Sequence, residues 1–134
     1  AAGATIDFWR IALRPGKPMM AGRRGDCVVI GLPGNPVSAF VTGLLFVLPL
    51  VIAIAGARAP LPHTTRALLG EALPANGERT DYIRAELRDG LLHAAAIQDS
   101  SMLATLARAN CLIVREPHAP PALTGESAEI LVIA

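Results

Sequence analysis

The sequence predicts an α/β segment followed by a small, mostly β domain. The first observation is a strand–turn–helix pattern over 27–55, where a short apolar run and a proline- and glycine-rich turn lead into a long apolar stretch. The second is a pair of closely spaced prolines within 57–63, after which the pattern changes to short strands separated by turn residues. We therefore expect two units, residues 1–58 and residues 59–134.

Two strands are predicted before the long apolar stretch. Residues 5–14 largely alternate apolar and polar side chains, as in a strand. Residues 15–18 (Pro-Gly-Lys-Pro) predict a turn, because proline fixes φ and glycine accepts conformations that other residues resist. Residues 27–32 form a continuous apolar run, which is typical of a strand covered on both faces.

A long helix is predicted to follow the turn at 33–36. Asn35 is well placed to cap the N-terminus of this helix, Pro36 suits its first position, and Gly56 suits its C-terminal end. Pro49 lacks a backbone donor, so we expect it to kink or break the helix after about three turns.

The segment 37–55 is also long and apolar enough for a single membrane-spanning helix. Pro49 and the form of the preceding turn argue against a span. The side chains also segregate at helical spacing, with Ser38, Thr42 and Gly43 on one side and Val37, Phe40, Val41, Leu44 and Leu48 on the other. A buried helix in a large soluble assembly fits this segment as well as a membrane span does.

The second half is predicted to contain five short strands and one short helix. The strand candidates are 65–73, 81–89, 91–97, 111–115 and 127–133. Asp89-Gly90 indicates a tight hairpin between the second and third of them. The short helix is expected over 101–109, with Ser100 or Asp99 as its N-cap.

Composition excludes several classes of protein. With 134 residues, 52% of them hydrophobic, the chain is too apolar for disorder and large enough for a core. The net charge of +1 gives no global case for a nucleic-acid partner, although the first half is basic and the second acidic. Cys27 and Cys111 lie in apolar runs and are expected to be buried free thiols in a reducing compartment.

The residues that could carry chemistry are basic. The three histidines are scattered, and the sequence contains no metal-ligand spacing, no phosphate-binding glycine motif and no evident Ser/His/Asp triad. Arg14 and Lys17 instead flank a turn close to the predicted helix start that carries Ser38. Backbone N–H groups and the helix dipole at such a start favour an anion. The residues therefore indicate an oxyanion or phosphate site.

Several motifs in sequence order resemble the C-terminal part of the MoeA family of molybdopterin molybdotransferases, which is related to the E domain of eukaryotic gephyrin. They are RPGKP (14–18), Gly22, LPGNPVSA (32–39), the spacing from Pro49 to Gly56, Arg84, QDSSML (98–103) and LARANCLIV (106–114). This resemblance implies that 1–58 is the C-terminal part of an αβα-sandwich domain and that 59–134 is a small barrel-like β domain.

The resemblance also implies a reaction. Family members insert molybdenum from molybdate into adenylylated molybdopterin and release AMP, with Mg²⁺ assisting. The Mg²⁺ ligands are expected outside this chain, which alone is expected to be inactive, and molybdate is not distinguished from tungstate. A cytoplasmic homodimer is implied, with the molybdopterin adenylyltransferase of the same pathway as a possible partner and with no nucleic-acid or membrane partner.

Site residues follow from the same resemblance. The oxyanion-binding residues that it implies are Arg14, Lys17, Pro18, Ser38, Arg84 and Ser100, with Ser101 as the alternative to Ser100 and with Arg14 and Lys17 as the catalytic candidates. Arg10 is a possible contact to a substrate phosphate. Arg10 and Arg14 both replace a family lysine, which keeps the charge but changes the donor geometry.

Ordinary structural roles and other functions remain open at this point. Arg84 could pair across strands with an acid on the surface, and Ser38 and Ser100 could serve only the helices that they begin. The alternative functions are a gephyrin-like scaffold whose β domain binds peptides, a single-span membrane protein, and a related adenylyltransferase-type protein that lacks the appended β domain.

Overall fold

The computed structural model describes residues 3–96, 98 and 103–133. The predictions for Ser100, Ser101 and the Asp99 cap concern residues outside these ranges. The strands are β1 (Thr5–Phe8), β2 (Leu13–Arg14), β3 (Met20–Arg24), β4 (Cys27–Gly31), β5 (Thr64–Leu69), β6 (Thr80–Arg88), β7 (Leu91–Ala94), β8 (Cys111–Arg115) and β9 (Ser127–Val132). The helices are α1 (Pro36–Thr42), a π-helical segment (Gly43–Val47), α2 (Leu48–Ile54) and α3 (Leu103–Arg108).

The first half forms a three-stranded antiparallel sheet in the order β1-β3-β4. The single strand predicted over 5–14 is wrong, because β1 belongs to this sheet whereas β2 pairs in parallel with β6 of the second half. The prediction that 27–32 is covered on both faces is also wrong. β4 is an edge strand, and Val28 and Val29 are 40% and 38% exposed. The described residues add no third layer here, so the αβα sandwich stays a prediction.

The long helix begins and ends where the sequence indicated. Asn35 Oδ1 accepts hydrogen bonds from the backbone N–H groups of Val37 and Ser38 at 3.1 and 3.3 Å, which confirms the N-cap. At the other end, Gly56 adopts a φ of +94°, where glycine is favoured. Pro49 does not break the helix. The wider π-helical segment immediately precedes α2, and Pro49 lies in the first turn of α2, where its missing N–H is tolerated.

The buried face of α1 differs from the predicted one. Ser38 and Thr42 are buried together with Val37 and Val41, whereas Phe40 and Leu48 are 42% and 47% exposed. The predicted division into a polar and an apolar side is therefore wrong. The helix Pro36–Ile54 is long and apolar enough to cross a membrane, and 28% of its most apolar window is buried in the structure.

The second half is a closed barrel of five strands. β6 pairs with β7, β7 with β5, β5 with β9, β9 with β8, and β8 pairs back to β6. Asp89 and Gly90 join β6 to β7 with φ of +52° and +79°, which confirms the hairpin. The barrel interior is filled by Leu69, Leu73, Ala85, Leu92, Cys111, Ile113, Ala122, Ala128 and Ile130.

The two halves pack through the outer face of the barrel. Leu112 of β8 and Leu131 of β9 form a buried cluster with Val41 of α1, and Leu44 and Tyr82 pack against it. Hydrophobic burial therefore fixes α1 against the outer face of the barrel. The division between residues 58 and 59 stays a prediction.

The two cysteines have different environments. Cys111 is buried in the barrel, as predicted. Cys27 is exposed, so its predicted burial is wrong, because it begins the edge strand β4.

Candidate functional site

The basic turn, which we define as Arg14–Pro18, lies directly against α1. Gly16 has a φ of +130°, and a Cβ atom on this residue would lie 2.6 Å from Cγ2 of Thr42. Only glycine permits this approach. Thr42 Oγ1 in turn donates a hydrogen bond to the carbonyl oxygen of Ser38 at 2.7 Å. The basic turn therefore lies within one helical turn of the segment that carries Ser38.

This contact predicts the effect of Gly16→Ala. Because the new methyl group would meet Thr42 at a strained φ, we expect the free energy of unfolding to fall by about 2 kcal/mol. Urea denaturation measures the change. Gly34→Ala in the next turn is the matched control, since a Cβ there has no neighbour within 4 Å. Equal losses in the two variants would contradict the close packing of the turn on α1.

Arg14 is anchored to the barrel by Asp81. The strand β2 pairs in parallel with β6 and places Arg14 beside Asp81, and Arg14 Nη2 donates a hydrogen bond to Asp81 Oδ2. The Arg14 side chain is 59% exposed, whereas that of Asp81 is 7% exposed. The hydrogen bond with Asp81 raises the pKa of Arg14, which keeps the guanidinium charged. One edge of the guanidinium is thus held while much of the group stays accessible to an anion.

Lys17 and Pro18 are exposed on the basic turn. Arg10 lies before β2, and its guanidinium stacks over the ring of Trp9 at 4.8 Å from the ring centre. In the described part of the chain, no hydrogen bond or ion pair joins Arg10 to another predicted site residue. The structure therefore brings Lys17 and Pro18 close to α1 but gives Arg10 a separate setting.

Arg84 is buried in the middle of β6. It is 1% exposed. Because the neighbouring residues Ile83 and Ala85 face the barrel interior, the Arg84 side chain projects from the outer face of the barrel. The alternative in which Arg84 lies on the surface is therefore wrong. Leu112 is the neighbour of Arg84 on β8, and Leu112 packs against Val41 of α1.

Arg84 and Ser38 thus flank the same contact between α1 and the barrel. Ser38 lies one helical turn before Val41, and it is buried on the face of α1 that packs against the barrel. Arg14 contacts β6 through Asp81, on the other face of the strand. Asp81 and Arg84 are three residues apart, so their side chains point to opposite faces. The structure therefore places the candidate residues around β6 and α1, with Arg14 and Arg84 on opposite faces of β6.

Asp81 and Gln98 are the two residues whose contacts the sequence did not predict. Asp81 occupies a buried position in an alternating strand, and an acidic residue at such a position is an available signal. The Gln98 side chain bonds the main chain of Arg84 with both of its polar groups, at 3.1 and 3.0 Å. Its position four residues after β7 gives no comparable local signal.

A groove of about 390 Å³ lies beside Arg84, between α3 and the β6–β7 hairpin. Alanine side chains form most of its wall, and Glu86, His93 and Arg108 add charged or titratable groups. None of the predicted site residues that the structure describes lines it. The groove is therefore a neighbour of the candidate site.

The described residues do not provide a metal site of the usual kind. No group of three or more His, Cys, Asp or Glu side chains is placed to hold a metal ion in the ranges that the structure describes. The Mg²⁺ ion that the family resemblance implies therefore has no such ligand group among the described residues.

Comparisons with known proteins agree with the motifs. Residues 66–133 match the family described as the MoeA C-terminal region (domain IV). The molybdopterin molybdenumtransferase of Haemophilus influenzae is 31% identical over 131 residues, which cover 93% of this chain and 32% of that protein. The molybdenum cofactor synthesis protein cinnamon of Drosophila melanogaster is 37% identical over 131 residues, which cover 90% of this chain and 22% of that protein.

A solved structure extends the agreement to the fold. The molybdopterin biosynthesis MoeA protein of Pyrococcus horikoshii OT3 superposes with a TM-score of 0.82 at 23% identity, and the match covers 96% of this chain and 32% of that protein. At this identity the likeness shows the fold alone. The chain spans about a third of the length of the Haemophilus relative.

Proposed function

The chain belongs to the MoeA family, and from this membership we propose that it supplies the oxyanion-binding part of a molybdenum insertase. In the proposed reaction, molybdenum from molybdate enters the dithiolene of adenylylated molybdopterin, and AMP is released. The observation that carries the proposal is the buried Arg84 at the contact between α1 and the barrel. A guanidinium presents several directed N–H donors, and an oxyanion is the kind of ligand that such donors suit.

The chemistry of the substrate fits these residue types. Molybdate is a tetrahedral dianion, so cations, hydroxyl groups and backbone N–H groups can hold it without a proton transfer. The same positive field would stabilise the charge that develops on the pyrophosphate as AMP leaves. The dithiolene sulfurs are the nucleophiles, so the chain needs no Ser/His/Asp triad.

We propose separate roles for the candidate residues. Arg14 and Lys17 attract and hold the oxyanion on the open side of the site, and Arg84 and Ser38 hold it from the side of the barrel and α1. Pro18 shapes the basic turn. Ser100 is the further hydroxyl that the resemblance implies, and Arg10 would contact a substrate phosphate.

The wider setting is also a proposal. We propose that Mg²⁺ is bound by residues outside this chain, and that the protein acts in the cytoplasm as a homodimer, with the molybdopterin adenylyltransferase as a possible partner. Phe40, Leu48, Val51 and Ile54 are exposed apolar residues of the long helix. We propose that protein rather than lipid covers them in the assembly.

Lys17→Ala tests the open side of the proposed site. We expect the dissociation constant for molybdate to rise about fivefold, because an exposed charged donor contributes less than a buried one. Isothermal titration calorimetry at fixed ionic strength measures the change. Arg24→Ala is the matched control, since Arg24 is an exposed cation in the β3–β4 hairpin. The same loss in both variants would reduce the role of Lys17 to a general effect of net charge.

Activity is tested in a chimaera. Replacing the matching third of the Haemophilus protein by this chain should give a protein that forms molybdenum cofactor from molybdate and adenylylated molybdopterin. Loss of activity on Arg14→Ala in that chimaera, with folding retained, would support the proposal. Full activity of both Arg14→Ala and Lys17→Ala would overturn the site, and a folded chimaera without activity would overturn the function.

A further inference from the structure

Two side-chain amides bond to the main chain of β6 where its neighbouring strands end. The last pair between β6 and β7 is Ala85 with Ala94, so the main chain of Arg84 lies just beyond this ladder. Ala95 still donates one hydrogen bond to the Arg84 carbonyl oxygen, at 2.9 Å. Gln98 completes the pairing, because its Oε1 accepts from Arg84 N and its Nε2 donates to Arg84 O. Backbone groups within a sheet need such partners.

Asn110 does the same on the opposite edge of β6. Its Oδ1 accepts from Leu87 N at 2.7 Å, and its Nδ2 donates to Leu87 O at 3.1 Å. It directly precedes β8 and so extends that ladder by one residue. The two amides differ in the side chain that they serve: the Leu87 side chain packs against the barrel core, whereas Arg84 carries a buried charge on the outer face.

We propose that Gln98 is a positioning residue for the oxyanion site, which it serves by fixing the main chain from which Arg84 projects. The identity of the ligand in this inference rests on the proposed function. The geometry of Gln98 and Arg84 does not depend on it. Gln98 Nε2 also donates to Ala95 O at 2.8 Å, so one amide joins β6 to the segment that follows β7. A guanidinium binds an anion through several directed N–H groups, so a small rotation of its main chain misplaces several donors together.

A double-mutant cycle separates this role from a merely structural one. We expect Gln98→Ala to raise the dissociation constant for molybdate about tenfold, and Asn110→Ala, the matched control, to raise it less than about twofold, although each variant removes two hydrogen bonds to the main chain of β6. In an Arg84→Met background, Gln98→Ala should add less than about twofold, because the residue through which it acts is gone. Calorimetric titration with molybdate gives all the constants.

Two results would overturn the proposal: equal losses of affinity in Gln98→Ala and Asn110→Ala, or a Gln98→Ala effect that persists undiminished in the Arg84→Met background. A wild-type chain that binds no molybdate would contradict the proposed function instead. The positioning role then remains measurable by nuclear magnetic resonance on the Arg84 Nε–Hε group. We expect its signal to shift and exchange faster with water in Gln98→Ala and to stay unchanged in Asn110→Ala. An unchanged signal in Gln98→Ala would overturn the proposal.

Discussion

Replacing Arg84 with methionine is expected to weaken molybdate binding about 100-fold, since a buried charge-assisted contact contributes on the order of 3 kcal/mol. Arg84 is 1% exposed and lies beside Leu112 at the contact with α1, where an unbranched apolar side chain of similar length can pack.

A matched control makes this test specific to Arg84. Calorimetric titration with molybdate gives the affinity, and thermal unfolding gives Tm. Arg66→Met is the matched control, because Arg66 is an exposed arginine of β5 whose guanidinium bonds Ser127 instead. We expect the control to lose less than about twofold in affinity. Wild-type affinity in Arg84→Met, or an equal loss in Arg66→Met, would remove Arg84 from the site.

The alternation along β6 shows how far local pattern predicts such a residue. The sequence places Arg84 on the face opposite Ile83 and Ala85, and the structure confirms this. Whether that face is exposed depends on α1 and α3, which pack over the barrel from distant parts of the chain. The burial of Arg84 thus depends on tertiary packing, which the alternation of residues along the strand does not predict.

The sequence predicted local features well and long-range strand pairing poorly, because only the local features depend on residues close together in the chain. The Asn35 cap and the Asp89-Gly90 hairpin depend on residues within a few positions of one another, and both are observed. The exposure of Cys27 depends on the order of strands in the sheet, in which β4 lies at an edge. The strand predicted over 5–14 divides because its second part pairs with β6, more than sixty residues away.

The surroundings of the predicted site residues were only partly evident from the sequence. A turn at 15–18 was expected from its glycine and prolines, and the structure places Gly16 of this turn against Thr42 of α1. The pairing of Arg14 with Asp81 was not expected, because a parallel pair between β2 and β6 joins segments with no common local pattern. The ligand roles of all these residues stay predictions.

Leu112→Ala is expected to lower the free energy of unfolding by about 3 kcal/mol, the usual result of truncating a fully buried leucine. The neighbouring variant Ile113→Ala is the matched control, since both residues are fully buried on β8 but face opposite sides of the strand. Leu112 packs against Val41 of α1, whereas Ile113 fills the barrel interior. We therefore expect similar losses of unfolding free energy in urea denaturation, but we expect different parts of the structure to be destabilised.

Native-state hydrogen exchange distinguishes the two variants. In Leu112→Ala, amide exchange should accelerate first in α1, and the affinity for molybdate should fall with it, because Ser38 and the basic turn are held through this helix. In Ile113→Ala, exchange should accelerate first in the barrel strands. An identical exchange pattern in both variants would mean that α1 and the barrel open as one cooperative unit. The contact between Val41 and Leu112 would then not set the position of the basic turn independently of the barrel.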